Sequence, residues 1–217
     1  MRSATLRTLS WMMALAGAGG YWIGYLAGAD GSLPAFGRDT VLVWKIQSQE
    51  ETHDFVVRIA TFTPNRFIEW ENATTQGTTL MPAKAIAGAK VFVNTRLFSG
   101  GSDVKGKDAT TLWLSQRLFR ELKANGRVRV ALDSIDSWMV LLGKSEFATL
   151  VNRSERRLPV IRVSDDRGSE RWFLDLEENP LMVQHVFRHF SQKLVSITTD
   201  RPNTLRWIKG KKLNPPQ

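Results

Sequence analysis

The sequence predicts a β-rich α+β protein: an N-terminal transmembrane helix, then an antiparallel curved sheet or open barrel/roll with one packed helix. Three observations predict it. Residues Thr8 to Ala29 form an uncharged, largely apolar run of 22 residues between Arg7 and Asp30. Past Asp30, short alternating runs bounded by turn residues recur at near-regular spacing, without the strand–helix alternation of a parallel sheet. Only one later stretch, Asp108 to Asn125, carries a helical apolar stripe that ends in a stop signal.

The apolar run makes a helix about 30 Å long, matching a bilayer core. Gly20, Gly24 and Gly28 are spaced by four, with Ala16 one step earlier on the same face. Such a strip of small residues lets a neighbouring helix approach closely in lipid. Arg2 and Arg7 are the only charges before it, so the positive-inside rule keeps the N-terminus cytoplasmic and exports the rest. A cleaved signal peptide is the rival reading, with Ala27-Gly28-Ala29 as the cleavage site. The run is longer than an ordinary signal core, and Tyr21, Trp22 and Tyr25 near its outer end suit a membrane interface, which favours retention. Both readings place the domain outside the cytoplasm: anchored in the inner membrane by a single pass, or soluble in the periplasm or secreted if cleaved after Ala29.

The expected organisation is an anchor over 1–29, a linker over 30–39 containing Gly31, Pro34 and Gly37, a β-rich domain over 40–208 and a basic tail over 209–217. The chain of 217 residues has a net charge of +9. All 21 acidic residues, and every basic residue except Arg2 and Arg7, lie beyond Ala29, so the exported part is also basic. That permits contact with anionic lipid head groups; the location argues against nucleic acid. There is no cysteine, which excludes disulfides, lipobox-type lipidation, thiol catalysis and cysteine metal sites. Asn72-Ala73-Thr74 and Asn152-Arg153-Ser154 match the glycosylation sequon, which matters only in a eukaryotic secretory host.

Strands are expected over Thr40–Gln47, Phe55–Phe62, Arg66–Glu71 and Thr78–Met81. Ala83 to Phe98 is divided: Ala83–Ala87 favours helix and Val91–Val93 favours strand. Ser99-Gly100-Gly101-Ser102 is a loop. The helix over Asp108–Asn125 carries Leu112, Leu118, Phe119 and Leu122 in a stripe, with Asp108 as its N-cap and Asn125-Gly126 as its stop. Strands resume over Arg127–Leu132, Trp138–Leu142, Phe147–Val151, Leu158–Val163 and Arg171–Leu176. Leu181 to Phe190 reads as a helix opened by Asn179-Pro180, or as a strand crossing a two-sided sheet. Lys193–Thr199 is strand-like.

Candidate chemistry is sparse. Gly101-Ser102-Asp103-Val104-Lys105-Gly106-Lys107-Asp108 fits the phosphate-binding loop through Gly101, Gly106 and Lys107, with a possible strand before and a helix after. Asp108 stands where Ser or Thr would bind magnesium, and a surface loop before a capped helix explains the same residues. His185 and His189, four apart, would share a face for a metal on a helix, but on a strand they would lie about 13 Å apart. Glu69 with Glu71, or Asp165 with Asp166, are possible carboxylate pairs. No hydrolase signature is present. Trp44, Trp70, Trp138 and Trp172 fall in strands and read first as core. No cofactor is implied.

Arg171-Trp172-Phe173-Leu174-Asp175, then Asn179-Pro180-Leu181, then Leu194-Val195-Ser196-Ile197 resemble the closing segment of uncharacterised envelope proteins of soil bacteria such as acidobacteria. The resemblance covers about 30 residues of the 217. It implies a β-rich exported domain without established enzymatic activity, in which N-P-L opens a strand and a Ser-Ile strand closes an open barrel or roll. It favours strand for Leu181–Phe190.

The expected function is a membrane-anchored, extracytoplasmic, non-enzymatic accessory or scaffold protein, packing through its glycine strip with a membrane-protein partner or with itself. The alternative is a periplasmic carrier or sensor of a lipid or other apolar ligand in a half-open β-barrel. A remote alternative is an NTP-binding enzyme using the loop at 101–108.

Overall fold

The computed structural model describes residue 33 and residues 35–49, 51–94, 104–105 and 108–199. The first strands are β1 (Val41–Gln47), β2 (Thr52–Thr61), β3 (Arg66–Glu71) and β4 (Gln76–Met81), an antiparallel meander. Helix α1 (Ala83–Gly88) and strand β5 (Val91–Phe92) follow, so the ambiguous stretch holds both elements in succession. Two short strands, β6 (Val104–Lys105) and β7 (Ala109–Thr110), precede helix α2 (Gln116–Asn125). A second meander completes the chain: β8 (Arg127–Leu132), β9 (Ile135–Val151), β10 (Ser154–Asp165), β11 (Glu170–Leu174), β12 (Met182–Phe187) and β13 (Phe190–Thr198).

Among the described residues the sheet order is β6-β4-β3-β2-β1-β13-β12-β11-β10-β9-β8-β5-β7. β13 joins the two meanders by pairing with β1 along its length. Its far end also pairs in parallel with β9, Ser196 opposite Leu150 and Ile197 opposite Val151, so β9 to β13 close into a ring. The β-rich α+β expectation therefore holds, and Leu181–Phe190 is not helix: β12, a two-residue turn and the first residue of β13 occupy it.

The core explains the register. Trp44, Phe55 and Trp70 form an aromatic series at 5.9 and 6.3 Å between centroids. All three are buried, so these tryptophans are core. Gly77 lies opposite Trp70 across β3 and β4, and a Cβ there would stand 2.6 Å from Trp70 Cζ2. Two-residue turns link β8 to β9 and β9 to β10. Asp133-Ser134 and Asn152-Arg153 take positive φ, the turn form that matches strand twist.

The helix is shorter than the sequence pattern suggests. It starts after Ser115, whose Oγ accepts from the Leu118 amide at 3.2 Å and donates to the Ala89 carbonyl at 2.7 Å. Asp108 is exposed and caps nothing. Leu112 has φ 58°, incompatible with a helix running through it. Leu112, Trp113 and Leu114 are instead non-helical, buried and bound to the N-P-L stretch. The Met182 amide donates to Leu112 O at 2.6 Å, the Leu114 amide to Pro180 O at 3.1 Å, and Trp113 Nε1 to Asn179 Oδ1 at 2.7 Å. The helix stop is where expected: Gly126 takes φ 71° and its amide caps Leu122 O. Leu118, Phe119 and Leu122 bury the stripe.

The anchor over 1–29, with Ala16, Gly20, Gly24 and Gly28, and the tail over 209–217 lie outside the described residues. Within those residues no helix is long and apolar enough to cross a membrane.

Candidate functional site

Two features of the second meander stand apart from ordinary packing: a polar pocket and an apolar strip.

The pocket is built by register. Arg171, His185 and Gln192 lie directly opposite one another on β11, β12 and β13, and Phe187 and Phe190 face each other at the end of the β12–β13 hairpin. Residues opposite in register share a face, so three polar side chains and two aromatic rings line one wall. Asn94 and Asp133 supply another, from the end of β5 and the β8–β9 turn. The half-open cavity between them measures about 220 Å³.

Its base is a buried network. Arg171 Nη1 donates to Asp165 Oδ2 at 2.7 Å, with both side chains essentially inaccessible. Asp165 Oδ1 accepts from the amides of Arg167 and Ser169 at 3.0 and 2.9 Å, which shapes the β10–β11 turn. Burial would raise the Asp165 carboxyl, but these hydrogen bonds and the Arg171 charge hold it below its ordinary value. Ser169 Oγ and His185 Nε2 share a hydrogen bond at 2.7 Å. Burial, then the neighbouring Arg171 charge, push His185 down to about 3, so the ring is neutral at physiological pH. His185 Nδ1, Arg171 Nε and Asn94 Oδ1 are buried without a partner among the described residues.

A serine on a histidine invites comparison with a nucleophile and its base. Among the described residues Nδ1 of His185 meets no carboxylate, and the Ser169 amide donates to Asp165 Oδ1.

The strip lies on β9. Trp138, Val140 and Leu142 alternate on one face at 42, 40 and 50 % exposure, with Ile135 at 54 % beside the turn. Arg127 caps the strip, its guanidinium 5.0 Å from the Trp138 ring centre. Arg129, bound through Nε to both Asp136 carboxylate oxygens at 2.9 and 2.8 Å, borders it on β8. The strip and the pocket share a support: Asp166, next to the buried Asp165, accepts from Ser137 Oγ and from the Trp138 amide at 3.2 Å.

The residues singled out by motif meet different fates. Gly101, Gly106 and Lys107 lie outside the described residues. The helix required after such a loop does not begin at Asp108. His185 is on β12 and His189 is in the following turn, exposed, so the shared helical face does not exist. Within the described residues no group of three His, Cys, Asp or Glu is placed to hold a metal. Glu69 is buried against Arg58, and Asp165 and Asp166 serve different partners, so neither acidic pair acts as one unit. Asn72 accepts from the Thr74 and Thr75 amides at 3.0 and 2.8 Å, and Asn152 accepts from the Thr199 amide at 2.8 Å. Ser169, Gln192 and Asn94 were not legible as site residues, because pairing across strands distant in sequence unites them. The β9 strip was not legible either: Trp138, expected in the core, is 42 % exposed, because an apolar pattern on both faces does not say which face is covered.

Compared with protein-family models, curated proteins and solved structures, the chain matches none.

Proposed function

We propose that the protein is a membrane-anchored, extracytoplasmic, non-enzymatic accessory subunit whose β-rich domain docks on a membrane-protein partner or a second copy of itself. The glycine-strip helix (Ala16, Gly20, Gly24, Gly28) contributes the contact within the bilayer. The observation that carries the reading is the exposed strip of Trp138, Val140 and Leu142 on β9. Large apolar side chains exposed singly are ordinary; three in series on one strand face, rimmed by arginines, mark an interaction surface. Trp and Arg are the residue types most enriched where docking energy concentrates. The carrier alternative for lipid needs a largely apolar cavity, whereas Arg171, His185 and Gln192 line the wall of the pocket described above.

The test is the native size of the full-length protein extracted from its own membranes. Trp138→Lys with Leu142→Lys, and separately Gly24→Leu, are expected to shift it from a larger assembly to the free chain. An unchanged size in both variants would contradict the reading.

A further inference from the structure

We propose that the pocket on β11–β13 binds a small zwitterion of the α-amino-acid class with an aliphatic side chain. The pocket presents unmet demands of both signs. Arg171 Nε is a buried donor without an acceptor, and Asn94 Oδ1 a buried acceptor without a donor. An unpaired buried polar atom is costly, so a ligand whose entry lets these lining side chains shift to meet it is favoured over an empty site. Charge follows the same division. Arg167 stands on the rim with Arg171 behind it, suited to a carboxylate; Asp133 lies beside Asn94, suited to an ammonium. Because Asp165 already neutralises Arg171, a bare anion would leave Asp133 facing it, whereas a zwitterion balances both walls. Phe187 and Phe190 supply the apolar contact. The cavity of about 220 Å³ is smaller than sites for drug-sized ligands, which limits the occupant to a compact molecule.

The experiment is titration calorimetry on the full-length protein in detergent micelles with L-leucine, 4-methylpentanoate and 3-methylbutylamine. The first carries both charges, the others one each. The His185 ring resonance, identified by its loss in His185→Gln, is followed in parallel. L-leucine is expected to bind and to shift that resonance, with each analogue weaker by about tenfold or more. Asp133→Asn keeps a residue that tolerates the turn's positive φ and an oxygen for the Asn94 amide, but removes the charge. It is expected to weaken L-leucine about tenfold and to strengthen 4-methylpentanoate, which no longer faces a like charge. The proposal is overturned if L-leucine at about 10 mM gives neither heat nor a His185 shift. It is overturned equally if 4-methylpentanoate binds as well as L-leucine, which would make this a plain carboxylate site, or if Asp133→Asn changes nothing.

Discussion

Ser169 Oγ, just before β11, and His185 Nε2 on β12 meet at 2.7 Å, while the other ring nitrogen of His185 has no partner among the described residues. The ring is thus kept neutral inside the domain, and its value of about 3 lies well under that of an exposed histidine.

That difference sets a pH dependence. Between the unfolded value near 6.5 and the folded value of about 3, the unfolded chain binds a proton that the native chain refuses. Stability is therefore present above this window and falls as pH drops through it, with a slope of about 1.4 kcal/mol per pH unit from this one group. His185→Gln, which keeps a polar partner for Ser169, is expected to flatten that slope. Denaturant unfolding at several pH values compares the two; parallel curves would refute the assignment.

Arg171 and Asp165 are both fully buried, so removing one strands the other. Asp165→Ala is expected to cost about 3–5 kcal/mol, because an uncompensated guanidinium is left in the interior. Chemical denaturation measures it. A cost near that of a surface substitution would mean that water reaches Arg171.

The start of α2 separates two caps that compete on paper. Ser115→Ala is expected to destabilise the domain by about 1–2 kcal/mol, since it removes the helix cap and a buried bond to Ala89 O. Asp108→Ala is expected to be nearly neutral. Equal effects in thermal unfolding would place the helix start elsewhere.

Gly77→Ala probes the tightest contact of the first meander. Its Cβ would stand 2.6 Å from the buried Trp70 ring, which cannot yield without disturbing Phe55. A loss of about 1–3 kcal/mol is expected, the usual cost of overpacking. Unfolding with tryptophan fluorescence as the probe reports it; no loss would show that Trp70 has room to move.

Much of this architecture was written locally in the chain. The alternation in Val41–Gln47 and Arg66–Glu71, and the Asn125-Gly126 stop, are short-range signals, and the structure follows them. The start of α2 was not, because Leu112, Trp113 and Leu114 have helix-compatible spacing but are claimed by Asn179–Met182, far away in sequence. β9 looked like two strands because Gly143 interrupts the pattern. It is one strand of 17 residues with an irregularity where Arg162 and Val163 pair with Gly143 and Leu141. The pocket depends on the register of β11, β12 and β13, which no local pattern records. Charge alone suggested pairing Asp165 with Asp166, whereas alternation along the strand end sends one inward to Arg171 and the other outward to Ser137.

Docking through β9 is tested most directly by placing a photo-crosslinking amino acid at Leu142, and separately at Ala148, which is exposed on the same strand beyond the irregularity at Gly143 and away from the strip. Irradiation of intact cells is expected to give one discrete adduct from position 142, absent from position 148 and abolished by Trp138→Lys. No adduct at 142, or the same adducts from both positions, would contradict the account.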